Sequence, residues 1–259
     1  MRSQGQRNLF AARTAVATPD HPAAVSRSVA ARLAFVRRVY GWMFAGVVTT
    51  VLGVAISIEA GIAETLLRAG ILGNILLVVA WIGGAYGVQR VRHEPTWNVV
   101  AFAGYALFTG VVISDLVFVA MVLAAGGALG ADGAYILDGR YVMQAGVLTL
   151  IAFGALSGYA FFSKRDLSLL RGMLVIGTVV MLVALVAGFF IESTVFHIVV
   201  SAFVVLLFAG YTLYDTQKVL RTYPDGEHVA GAMTLFLDFV MLFIYVLRII
   251  MLIAAGGRE

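Results

Sequence analysis

The chain has 259 residues, of which 61% are hydrophobic and only 12% charged, and its mean hydropathy is +0.97. Soluble domains carry roughly a quarter charged residues, so this composition excludes a soluble globule and points to an integral membrane protein with one polytopic domain. Cysteine is absent, which excludes disulfides, thiolate metal sites and cysteine nucleophiles. The net charge of +4 is mostly arginine beside apolar segments, where membrane orientation explains it without nucleic acid.

Residues 1–31 are a polar Ala/Arg/Ser/Thr-rich stretch with Pro19 and Pro22. They contain no apolar core of the kind a secretory signal needs. The favoured reading is a disordered cytoplasmic tail; the competing one is an arginine-rich mitochondrial presequence. Residues 32–259 then read as a single seven-helix membrane domain. Its apolar stretches lie at about 36–58, 70–89, 97–124, 143–163, 171–191, 195–221 and 232–255. Each is near the ~20 residues a helix needs to cross a bilayer. Continuous apolar runs of that length form helices in lipid, because every backbone polar group must be satisfied within the segment.

Short-loop charges set the orientation. Arg32, Arg37 and Arg38 precede the first span, Arg90 and Arg92 follow the second, Lys164, Arg165 and Arg171 follow the fourth, and Lys218 and Arg221 end the sixth. The other connections carry Glu59, Glu64, Asp132, Asp138 and Glu192 with little positive excess. Positive residues stay inside, so the N-terminus is expected in the cytoplasm and the C-terminus outside. Gly154 and Gly158, Gly84 and Gly87, and Gly104 and Gly110 are expected to mark helix-packing faces.

The residues that carry chemistry sit in the last two spans. Asp215 lies near the end of the sixth and Asp238 near the start of the seventh. If these spans form an antiparallel hairpin, the two acids reach the same depth, just inside the cytoplasmic face. Intramembrane acids are costly unless they serve a function or have a partner. Two carboxylates meeting at low dielectric would share a proton and titrate as a unit. Deprotonated, they would repel or recruit a cation, and Ca²⁺ prefers carboxylate and carbonyl oxygens. The alternative, in which each aspartate is satisfied independently, stays equally open on residue pattern. Arg92, or else Arg90, ends the second span on the same side as a candidate latch for the deprotonated pair. Asp115 and Arg248 lie toward the outer third and are expected to pair, with Glu192 as the fallback partner for Arg248. His93-Glu94 is not a zinc motif, because Trp97 stands where HExxH needs histidine.

Three blocks, FGALSGYAFFSKRDLSLLRGMLVIG (153–177), FAGYTLYDTQKVL (208–220) and LFLDFVMLFIYVLRII (235–250), make the chain resemble the Bax inhibitor-1 family over roughly residues 33–255. The resemblance implies seven helices with the last one central. It also implies a pH-sensitive Ca²⁺ leak in which Asp215 and Asp238 sense protons and Arg92, or Arg90, competes for them. The composition leans toward a bacterial member, hence a bacterial inner membrane, with an organelle membrane as the alternative. The expected partners are the bilayer, Ca²⁺ and protons, with Ca²⁺ as a permeant ion and no resident cofactor. A second function stays open, a non-enzymatic scaffold or regulator of another membrane protein such as a membrane protease. An intramembrane aspartyl protease is disfavoured because Leu235-Phe236-Leu237 precedes Asp238 where that class needs Gly-x-Gly. A retinal protein is excluded because neither Lys164 nor Lys218 lies in the last span.

Overall fold

The computed structural model describes residues 29–257 except 132, 164 and 225. The expected tail at 1–31 falls almost wholly outside the described residues. Two units are distinguished. In the first, which runs to Ala34, the described residues are the opening turns of one helix; the second begins at Phe35 and contains the rest of the chain. Among the described residues the secondary structure is α-helical, with one isolated antiparallel bridge between Leu129 and Tyr135. The helices are α1 (Val29–Glu59), α2 (Ile62–Arg68), α3 (Gly70–Arg90), α4 (Pro95–Ala124), α5 (Arg140–Phe162), α6 (Leu170–Ala187), α7 (Thr194–Thr222) and α8 (His228–Gly256). Seven of them, all but α2, are long and apolar enough to cross a membrane.

The breaks between helices follow local chemistry. Pro95 opens α4, where a missing N–H costs nothing. Ser193 caps α7 by accepting from Phe196 N at 3.4 Å. The helix α2 was not expected. Gly61 and Gly70, with φ of 70° and 67°, flank it, and these left-handed turns isolate a seven-residue segment too short to span. It packs against α4 and α3, burying Ala63, while Glu64 and Arg68 pair at 3.6 Å on its open side. The stretch between α4 and α5 forms a small turn structure. There Ile136 N donates to Ala128 O, and Arg140 donates to Ala124 O, which returns the chain to the end of α4.

The last helix is central. It packs against α4, α5 and α7, and Val39 of α1 lies against Gly231. The α6 residues Leu174 and Met181 share a buried cluster with Tyr245. Two edge-to-face aromatic pairs fix its rotation: Phe236 on Phe102 and Phe239 on Phe153, each with ring centroids 5.5 Å apart. Peripheral α3 instead leaves Leu72, Leu76 and Val79 exposed, as a lipid-facing helix should.

The packing glycines divide. Gly84 faces the Tyr105 ring, as expected, and Gly110 lies in a tight crossing whose partner is Gly53 of α1, whereas a Cβ on Gly87 or Gly104 would meet nothing. The same seam is closed by Thr50 Oγ1 donating to Ala106 O at 2.9 Å and by Ser57 Oγ to Ser114 Oγ at 2.6 Å. A Cβ on Gly110 would meet Thr50 O and lie 2.8 Å from Gly53 Cα. The GxxxG of Gly154 and Gly158 is not a packing face. A Cβ at either position meets nothing, because α5 buries the face of Phe153, Ser157 and Ala160. Gly110→Ala is therefore expected to lose about 1–3 kcal/mol through overpacking against backbone. Gly154→Ala should stay within about 0.5 kcal/mol of the parent, the usual range for substitutions away from special features. Equilibrium unfolding in detergent, compared between the two variants, checks both.

Candidate functional site

The α7–α8 hairpin brings two carboxyl groups into the interior. Asp215 is 8% exposed and Asp238 4%. Counted along the helices, Asp215 lies seven residues before Thr222 and Asp238 ten residues after His228. At ~1.5 Å per residue these are depths of about 10 and 15 Å, so the acids are offset along their helices. They sit on the two packed helices of one hairpin. No hydrogen bond joins them. Asp215 Oδ1 lies 3.9 Å from Lys218 Nζ, one turn along the same helix, and that ammonium also stands 5.7 Å from the centre of the Tyr214 ring. Asp238 Oδ2 is buried and has no hydrogen-bond partner among the described residues.

The polar residues around Asp215 hold its helix to neighbouring elements. Thr216 Oγ1 lies 3.4 Å from Ser157 Oγ on α5. Gln217 is buried at the end of α7, where its Oε1 accepts from Leu167 N and its Nε2 donates to Arg165 O, both at 2.8 Å. One amide thus docks the α5–α6 loop onto α7. Sequence reading missed Gln217. The available signal was an uncharged polar side chain in an apolar helix, which needs a partner for both ends of its amide. In the same loop, the Ser168 backbone N–H and hydroxyl hold the exposed Asp166 carboxyl below the usual carboxylate range, with Arg221 adding to the effect. Across the α7–α8 link, Tyr223 Oη lies 3.2 Å from Thr234 Oγ1.

The candidate latch arginines are at this end of the bundle but do not reach the acids. Arg90 closes α3 and Arg92 lies in the turn beyond it, both exposed. Arg92 Nε donates to His93 Nε2 at 3.0 Å, and His93 Nδ1 lies 3.3 Å from Glu227 Oε1 on the α7–α8 link.

At the other end, the expected pairing of Asp115 with Arg248 does not form. Arg248 Nη2 instead donates to His197 Nδ1 at 3.4 Å, so Glu192 is not its partner either. Asp115 Oδ1 accepts from Leu116 N at 2.7 Å. The cause is facing. Ile113 and Val117 turn toward α8 and pack with Leu247, and Asp115, two residues from each, points about 200° away at ~100° per residue. Equal depth was legible in sequence; rotation about the axis was not.

Among the described residues no group of three or more His, Cys, Asp or Glu side chains is placed to hold a metal ion. Asp215 and Asp238 offer two carboxylates, fewer oxygens than the six to eight of a Ca²⁺ storage site.

Comparison with known proteins gives a consistent answer. Residues 32–255 match the family model described as inhibitor of apoptosis-promoting Bax1. An uncharacterised protein of Campylobacter jejuni is 29% identical over 216 residues, covering 83% of this chain and 87% of that one. The Golgi anti-apoptotic protein of vaccinia virus is 27% identical, covering 87% and 88%. The inner membrane protein YbhL of Escherichia coli is 27% identical, covering 83% and 90%. With nearly the whole helical domain matched, the chain belongs to the Bax inhibitor-1 family.

Proposed function

We propose that the protein is a proton-controlled leak pathway for Ca²⁺ or a similar hard cation, without covalent chemistry, gated at Asp215 and Asp238. The observation that carries this reading is Asp238 Oδ2, which is buried without a hydrogen-bond partner among the described residues, in the same hairpin that buries Asp215. A carboxylate so placed has two ways to lower its energy, a proton or a cation. Competition between the two makes cation passage pH-dependent. Lys218 is a built-in competitor, because its ammonium already stands near Asp215. Arg92 and Arg90 remain the candidate latch, available only if the end of α3 moves inward. The excess of arginine and lysine in the loops at this end supports a cytoplasmic orientation for it. The likeness to YbhL supports a bacterial inner membrane.

A second reading is a regulator that acts by binding another membrane protein. Its specific support is the family description and the anti-apoptotic function in the name of the vaccinia relative. It predicts that the aspartates matter for structure and not for flux.

Reconstitution in liposomes with a Ca²⁺ indicator separates the two. The parent should show Ca²⁺ flux that varies with pH, and Asp215→Asn and Asp238→Asn should each flatten that dependence. Removing one carboxylate is expected to lower flux about tenfold, the equivalent of ~1.4 kcal/mol of lost cation stabilisation. Absent flux would exclude the leak and favour the regulator, and an unchanged pH profile in both variants would exclude gating at the aspartates. A second comparison tests the competitor. Lys218→Gln should raise flux roughly two- to fivefold, a gain of ~1 kcal/mol or less as expected for a half-exposed ion pair, whereas Lys218→Arg should not.

A further inference from the structure

We infer that His93 is a proton-operated clasp that parks Arg92 at the mouth of the bundle and releases it on protonation. The geometry assigns the tautomer. Arg92 Nε can only donate, and it points at His93 Nε2 from 3.0 Å, so Nε2 carries the lone pair and the ring is neutral with its proton on Nδ1. That Nδ1 faces Glu227 Oε1 at 3.3 Å. The imidazole therefore bridges two connections, the α3–α4 turn that carries Arg92 and the α7–α8 link that carries Glu227. Asn98 at the start of α4 reinforces the parked position by donating to Arg92 O at 3.2 Å.

These residues line one cavity of about 330 Å³. Among the described residues, the charged and titratable groups lining it with His93 are Arg92 on its own turn, Glu227 on the link and His228 at the start of α8. Glu227 is mostly shielded from water whereas His93 is open to it, with side chains 16% and 64% exposed. Protons thus reach the ring directly. Protonation puts a hydrogen on Nε2, and two N–H groups and two positive charges then confront each other where one hydrogen bond had been. The same proton strengthens the attraction between His93 and Glu227. The clasp therefore keeps its hold on the link and loses its hold on the arginine.

The consequence for gating rests on the leak reading above, whereas the clasp itself does not. A parked Arg92 is withheld from Asp215 and Asp238; protonation removes that hold on its side chain, while the approach itself still needs the end of α3 to move. His93 thereby adds a proton-sensing step outside the buried pair.

Nitrogen NMR of ¹⁵N-arginine- and ¹⁵N-histidine-labelled protein in lipid nanodiscs tests this without measuring flux. The Arg92 Nε–H resonance, assigned by its loss in Arg92→Lys, should shift with the same pH midpoint as the His93 ring nitrogens. At high pH, His93 Nε2 should show the shift of an unprotonated nitrogen. In His93→Gln the amide can still accept from Arg92 and donate to Glu227, so the Arg92 resonance should no longer respond over that midpoint. An Arg92 resonance indifferent to His93 protonation, or an Nε2–H tautomer at high pH, overturns the clasp. If the Arg92 shift is found while Asp215→Asn retains pH-dependent flux, the clasp stands and the aspartate gate falls.

Discussion

The buried carboxyl of Asp238 sets the terms for the packing around it. A polar group enclosed without a partner costs of the order of 1–3 kcal/mol, and more when charged. Lipid tails are as apolar as leucine or phenylalanine, so the hydrophobic effect does little to hold one helix against another in a bilayer. Shape and dispersion must do it. Along α8, Met233, Leu235, Phe236 and Leu242 are almost completely enclosed around Asp238. The edge-to-face contacts of Phe236 with Phe102 and of Phe239 with Phe153 resist rotation of the helix. A small rotation would carry the carboxyl away from α7. The dense apolar packing of α8 is therefore the condition for a strained polar group in the interior.

A second constraint is the α1–α4 seam, which holds the opposite flank. Gly53 and Gly110 let two backbones touch, and the hydroxyls of Thr50, Ser57 and Ser114 are each satisfied within that contact. In a medium without water these bonds have no solvent competitor. The α1–α4 flank is thus built from close backbone approach, and the flank beside the acids from side chains. Gln217 completes that second flank by holding the α5–α6 loop through two backbone hydrogen bonds.

Much of this was legible in the sequence. Apolar run lengths located the seven long helices, because in lipid the backbone leaves no other structure available. The two aspartates stood out because acids are rare in such runs, and both are buried as expected. Rotation and local termination were not legible. Asp115 and Arg248 match in depth, yet Asp115 turns away from the side that Ile113 and Val117 present to Leu247. The GxxxG at Gly154 has the right spacing on an open face of α5. The helix α2 depends on two left-handed glycines that look like ordinary loop residues in a sequence. In each case the deciding variable was which neighbour a helix face meets, and apolar spacing alone does not encode it.

The position of α3 ties these strands together. Its principal packing partners are α4 and α2, and most of its apolar surface faces outward. Among the long helices it buries the smallest share of its apolar stretch, so displacing it disrupts the least packing. Arg90 closes it and Arg92 lies in the turn just beyond, while Asp238 lies about 15 Å along α8 from the first residue of that helix. An arginine at the mouth cannot reach that depth by side-chain rotation alone; the end of α3 must move. The His93–Glu227 contact fastens that end to the link between the two aspartate-bearing helices. The most weakly packed helix is thus tethered to the hairpin that holds the acids, through a side chain open to water. A proton arriving at His93 tightens that tether and frees the Arg92 side chain, before any proton needs to reach either buried aspartate.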